Sequence, residues 1–307
     1  NWKHALENGL SYNLGISLYD YKSVVTKYFN PTGTLSTWYE GAEVGDIWGY
    51  TVNDLFRSQE DLDSYLSKVD MTHIAANWNT GDLKYEDTNH DGKVNNGTNT
   101  IGNHGDLSVI GNDQPHYQYT INGGVSYKGF DFSMLWRGVA KKDMYFYRGS
   151  NIYWGFMGGW WESCLTPEHL DYFRDQPGSK YSGLYEGDAN INTDAYWPRP
   201  YLNNTEEAKN KNHANTRYLQ NAAYLRLQNV QLGYSFPRSI TSKMHLEKLR
   251  IYFSGENLLT FSKLPSGIDP VAPVGFPTGG EFFGTAGSGR LTYGADRIYS
   301  IGLTVTY

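Results

Sequence analysis

Seven consecutive residues, Asp87-Thr88-Asn89-His90-Asp91-Gly92-Lys93, carry the sharpest local chemistry in the chain. Side-chain oxygens fall at positions 1, 3 and 5, glycine at 6, and a backbone carbonyl is available at 7, the opening pattern of an EF-hand-type Ca²⁺ loop. Asp87, Asn89 and Asp91 are thus candidate ligands, with Lys93 offering its carbonyl. Position 12 is Thr98, which supplies no bidentate carboxylate. The alternative is an Asx-rich turn that needs no ion. If a hard cation binds, its role is structural, tying down a long loop. A second cluster, Tyr145, Tyr147, Tyr153, Trp154, Phe156, Trp160 and Trp161, offers aromatic faces that stack on sugar rings or pack against peptides. Trp154, Trp160 and Trp161 are the candidate substrate contacts; the same residues could instead form the loop's own small core or meet a partner protein. Catalytic constellations are not found. The eight histidines are scattered, Ser288 lacks nucleophile-elbow spacing, and the glycines of 279–289 follow no strand-to-helix passage. No enzyme activity is expected.

The elements that position these loops must be strands. Charged residues make up only 19% of the 307 and aromatics 16%, 26 of them Tyr, a bias suited to surfaces apolar at one end and wet at the other. No apolar run reaches transmembrane-helix length, which leaves β-barrels open because their strands alternate. A net charge of −6 without a basic cluster argues against nucleic acid, and Cys164 alone excludes a disulfide framework.

Alternation marks six segments. In the last, Tyr299, Ile301, Leu303, Val305 and Tyr307 share one face and Ser300, Gly302, Thr304 and Thr306 the other. The same period runs through 10–18, 117–127, 130–137, 224–236 and 249–261. The phase of 224–236 changes near Gln228 and Asn229, which predicts a β-bulge. Tyr117 and Tyr127 read as interfacial girdle residues. Tyr127-Lys128-Gly129-Phe130 is a tight turn, and 237–247 is a fairly short connection; 29–115, 147–221 and 263–296 are long. Strict alternation of short and long connections fits an outer-membrane barrel, with periplasmic turns and extracellular loops. The predicted fold is all-β, an antiparallel transmembrane β-barrel segment of about six strands. The alternative is a soluble or surface-attached β-rich glycan-binding module, in which the apolar faces would be buried between two sheets.

Longer motifs carry a family resemblance. Gly111-Asn112-Asp113-Gln114-Pro115-His116-Tyr117, Tyr127-Lys128-Gly129-Phe130-Asp131-Phe132-Ser133, 217–227, Leu232-Gly233-Tyr234 and 249–260 resemble the late barrel of SusC-like TonB-dependent transporters. The resemblance covers nearly the whole chain. It implies that 1–307 is the C-terminal part of a 22-stranded barrel, with the N-terminal plug and earlier strands lying upstream. Six strands fall below the number that closes a barrel, so this piece is expected to pair with the missing strands. The resemblance further implies import of a nutrient, an oligosaccharide or peptide, across the outer membrane. The implied partners are a SusD-like surface lipoprotein, TonB acting through the upstream region, and the lipid bilayer. Similar loops in the family continue to a later acid, a place that Asp106 holds here, so the resemblance makes Asp106 a further candidate ligand of the cation. Ser300, Gly302, Val305 and Tyr307 fit the C-terminal signal read by the barrel-assembly machinery: polar, glycine, apolar, terminal aromatic.

Overall fold

The computed structural model describes residues 1–145, 167–180, 185–201, 206, 209–210, 212–265, 268–271 and 295–307. Its main sheet is an antiparallel meander of β1 (Trp2–Ala5), β2 (Ser11–Tyr19), β7 (His116–Tyr127), β8 (Phe130–Lys141), β11 (Tyr224–Ser235), β12 (Lys248–Ser262) and β13 (Ile298–Thr306), in that order. The count of six is corrected to seven. Trp2–Ala5 pairs with Ser11–Leu14 through a tight connection, and four residues are too few for alternation to reveal. The sheet is open, since β1 and β13 are its two edges.

Register aligns the apolar faces of successive strands. Tyr12, Val125, Phe132, Leu232, Phe253 and Ile301 lie side by side across six strands. Ile16, Ile121, Trp136, Leu227 and Leu259 form the next such row but one. No second sheet covers this face among the described residues: Ile16 is 66% exposed and Ile301 80%. That is the opposite of what the sandwich alternative requires. The register of β11 shifts between Leu227 and Asn229 against both neighbours, placing the bulge at Gln228, and so the phase change keeps Val230, Leu232 and Tyr234 on the apolar face. At the short end of the β7–β8 hairpin, Lys128 and Gly129 have φ of 47° and 89°, the pair of positive values that a two-residue turn needs to match strand twist.

The three long connections all leave the same end of this meander. There the first of them folds into a small unit of its own. β3 (Asp46–Tyr50) pairs with β6 (Leu107–Asn112), and β4 (Val52–Leu55) pairs with β5 (Leu83–Tyr85). Helix α1 (Gln59–Leu66) starts at Ser58, whose hydroxyl accepts the Asp61 amide hydrogen at 3.2 Å, and buries Leu62. The core of the molecule sits in this unit. Tyr50, Leu55, Phe56, Met71, Leu83, Tyr85 and Val94 pack with Phe173, Trp197 and Tyr218 from the second long connection. Aromatic edges meet faces inside it, as between Tyr50 and Tyr85 with centroids 5.8 Å apart. β9 (Asp143–Tyr145) and β10 (Leu219–Asn221) pair just beyond β8 and β11, carrying that hairpin up into the loop unit.

Candidate functional site

The Asp87–Lys93 turn is held by its own side chains. Asp87 accepts amide hydrogens from Asp91 at 3.1 Å and Gly92 at 2.8 Å; Asn89 Oδ1 accepts from Asp91 at 2.9 Å; Asp91 accepts from Lys93 at 2.9 Å. His90 and Gly92 adopt positive φ, 61° and 82°, which bends the chain back and gathers the three oxygen-bearing side chains on one exposed turn. Asp106 is brought to the same loop from behind. It is fully buried, and its carboxylate accepts amide hydrogens from Thr88 at 2.8 Å, Asn89 at 3.3 Å and Asn95 at 2.8 Å. It therefore fastens the loop's backbone from the protein side. Among the described residues no group of three or more His, Cys, Asp or Glu side chains is placed to hold a metal ion. Two carboxylates, an amide oxygen and a backbone carbonyl on this turn are nonetheless the oxygen-donor class that a hard cation takes.

Beside it lies a polar network that no motif announced. Lys209 and Asp82 are buried and paired, Nζ to Oδ2, at 2.7 Å. Asp82 also accepts from the Tyr201 hydroxyl at 2.8 Å, the Asn210 amide group at 3.0 Å and the Asn79 backbone at 2.7 Å. Lys209 donates further to the Asn77 carbonyl and to Glu206. Burial, together with the Asp82 carboxylate, pushes the Tyr201 phenol well above its ordinary range. This network clamps the second long connection onto the first.

At the rim of the sheet His116 is held between two acids, Nδ1 at 2.9 Å from Asp20 and Nε2 at 3.5 Å from Glu43, while Lys22 pairs with Glu43 at 2.6 Å. The Asp20 carboxyl is lowered: desolvation raises it, but the bond to His116 and the amides of Tyr117 and Tyr21 together prevail. The last connection is clasped by Asp269. Its carboxylate accepts the amide hydrogens of Val271 at 2.8 Å and Ala295 at 2.9 Å and pairs with Arg226 at 2.6 Å. Burial raises the Asp269 carboxyl, yet these three donors outweigh it and the net shift is downward.

Trp154, Trp160 and Trp161 lie outside the described residues. Of their cluster Tyr145 is placed: it packs against the loop core and its hydroxyl donates to the His213 carbonyl at 3.3 Å. On β13, Ser300 and Gly302 fall on the polar face and Val305 on the apolar one, with Tyr307 almost wholly exposed after the strand. The Tyr252 ring lies over Gly302 so closely that a Cβ there would overlap it. Tyr117 and Tyr127 stand exposed near opposite ends of β7.

No family model matches the chain. It is 25% identical over 237 residues to TonB-dependent receptor P3 of Formosa agariphila, covering 76% of this chain and 19% of that receptor. It is 24% identical over 274 residues to TonB-dependent receptor P26 of the same organism, covering 87% and 23%. Among solved structures, the RagAB peptide importer in its open-open state matches 99% of this chain and 27% of its own chain, with a TM-score of 0.56 at 16% identity. The RagAB peptide transporter matches with a TM-score of 0.54 at 14% identity, over 99% and 28%. The chain thus spans about a fifth to a quarter of the length of the curated relatives it matches. These relatives are receptors and importers, not enzymes. The comparisons return the kind of protein read from the motifs: the chain is similar in sequence to part of two TonB-dependent receptors, and its fold matches part of the RagAB structures.

Proposed function

We propose that this chain is the C-terminal barrel portion and extracellular loops of a SusC-like transporter that imports a nutrient across the outer membrane in a TonB-dependent way. The observation that carries this reading is the uncovered apolar face running in register across the meander, with every long connection at one end and a packed loop unit built from them. In water such a face would be a large aggregation surface; in a bilayer it is the wall of a barrel. The open edges at β1 and β13 call for further strands of a larger barrel, of the 22-stranded kind, enclosing a plug. Tyr117 and Tyr127 then mark the two aromatic girdles, and Ser300, Gly302, Val305 and Tyr307 the assembly signal of the last strand. The loop unit is the surface on which a SusD-like lipoprotein would sit. The substrate class is an oligosaccharide or peptide; the match to a peptide importer supports the peptide. Trp154, Trp160 and Trp161 are the proposed substrate contacts. Asp87, Asn89, Asp91, Lys93 and Asp106 are the proposed residues of a structural Ca²⁺ site, Asp106 also fixing the loop's backbone.

The test is uptake by cells carrying the complete protein, offered defined peptide and oligosaccharide mixtures with and without TonB and the surface lipoprotein. Uptake of one mixture that is lost without TonB supports the reading. Uptake independent of TonB, or none of either mixture, overturns it.

A further inference from the structure

On the polar face of the sheet, one row of residues stands out across five strands. Ser17 of β2 lies opposite Thr120 of β7, Thr120 opposite Arg137 of β8, Arg137 opposite Arg226 of β11, and Arg226 opposite Thr260 of β12. Two arginines facing one another across a strand pair repel, and a sheet tolerates this only if their charges are met elsewhere. Arg226 is met: it is buried, pairs with Asp269 at 2.6 Å and donates to the Thr260 hydroxyl at 2.9 Å. Further down the same face Arg250 is met as well, by Asp131 at 2.5 Å and the Gln231 side-chain oxygen at 2.9 Å. Arg137 differs from both. It is exposed and has no acid partner among the described residues. Beside it the Thr120 hydroxyl is bonded to that of Ser17. The row therefore presents a guanidinium fork flanked by hydroxyls, near the loop-side end of β8.

We propose that Arg137, with Thr120, is a binding site for the carboxylate of a solute moving along the polar face. This rests on the importer reading, in which that face lines the lumen, and deepens it by assigning the wall a preference for anionic groups. A planar guanidinium receives a carboxylate through two parallel N–H donors, and the threonine hydroxyl adds a third. Asp269 has a definite part in this: by neutralising Arg226 it leaves one cation in the row rather than two, so a single carboxylate suffices.

The probe is succinate, titrated against sodium chloride at equal ionic strength, with the thermal midpoint of the complete purified protein as readout. We expect a succinate-specific rise in the wild type. In R137Q the half-saturating concentration should increase about tenfold or more, the ratio expected when a charge-assisted pair is lost. R137K should keep a weakened response and T120V a partial one; these two carry the test if R137Q does not fold. A response in R137Q equal to that of the wild type overturns the proposal. So does a structure of the complete protein in which one of its own Asp or Glu side chains sits on Arg137. Failure of the importer reading would show in the uptake assay instead, because the succinate titration requires only the folded protein.

Discussion

The loop unit and the strand sheet use the same residue types in opposite ways. In the loop unit Leu55, Phe56, Leu83 and Tyr85 are wholly buried against one another, as in any water-soluble domain. In the sheet Ile16, Phe253 and Ile301 are aligned with equal care and covered by nothing among the described residues. One region completes its own hydrophobic burial; the other, on the proposed reading, completes it in the bilayer. Charge follows the same division. The loop unit sinks an ion pair into its interior, whereas the sheet confines Arg137, Arg226, Arg250 and Asp131 to one face. The period-two alternation of the sheet separates two solvents, while the packing of the loops excludes one.

The largest expected effect falls on the buried pair. Asp82→Ala leaves the buried Lys209 ammonium with Glu206 alone as counter-charge among the described residues, and takes the acceptor from Tyr201, Asn210 and Asn79. It should destabilise the loop unit by about 3–5 kcal/mol. Replacing both, as Asp82→Ala with Lys209→Met, should recover much of the loss. Amide hydrogen exchange locates the damage: protection of Leu83 and Tyr85 should fall while that of Leu232 and Phe253 stays. Equal loss in both regions would break the division between them.

Next comes the sheet itself. Phe253 and Ser254 are neighbours on β12 that face opposite sides. Phe253→Arg should cost about 2–4 kcal/mol in lipid vesicles if it lies near the bilayer midplane, and Ser254→Arg far less. Urea unfolding of the complete protein in vesicles measures both. Small effects of arginine at Phe253, at Leu232 beside it and at Ile16 in a different row of the same face would mean that this face meets water, and the barrel reading would fail.

What the sequence reveals follows the same divide. Alternation exposes six of the seven main strands, the Gln228 bulge and the Lys128-Gly129 turn, because each is written in consecutive residues. Trp2–Ala5 escapes for lack of length. The loop unit escapes for a different reason: its strands run to three to six residues and its core joins side chains as distant as Phe56 and Trp197. Asp82 and Lys209 sit in unremarkable stretches and acquire meaning only from burial. The Asp87–Lys93 turn was legible as a run of oxygen-bearing residues, whereas helix α1 and its Ser58 cap were not read from the sequence. The resemblance pointed to Asp106 as the loop's later acid, but its part as a buried anchor for three amides shows only in the fold.

The cation loop is the third test, because it asks whether the loop unit is as self-sufficient as its core implies. If Ca²⁺ binds at Asp87, Asn89 and Asp91, an excess of a hundred times the dissociation constant should add about 2.7 kcal/mol to the loop unit and nothing to an Asp91→Ala variant. Scanning calorimetry in Ca²⁺ and in chelator checks it. Identical midpoints for both proteins would leave an Asx turn that needs no ion.

The smallest effect is the response of the two regions to acid. His213 is half-buried against Tyr50, ring centroids 5.8 Å apart, and desolvation first, then the charge of His73, holds its imidazole below the ordinary 6.5. Its folded pKa is depressed, so the unfolded chain takes up a proton at a pH where the folded one does not, and stability falls as the pH drops below about 6.5 toward the lower folded value. Asp269, by contrast, is a depressed carboxylate. Its contribution is intact above the ordinary 3.8 and is lost only as the pH falls below that toward its folded value. The loop unit should therefore begin to loosen in mild acid while the clasp between Arg226 and Asp269 still holds. His213→Gln should flatten the upper part of the profile and leave the lower part unchanged, as read by exchange at Tyr50 and Ala295 between pH 7 and 3. If Ala295 lost protection together with Tyr50 near pH 6, the clasp and the loop core would open as one unit, and the two regions would be less independent than their packing indicates.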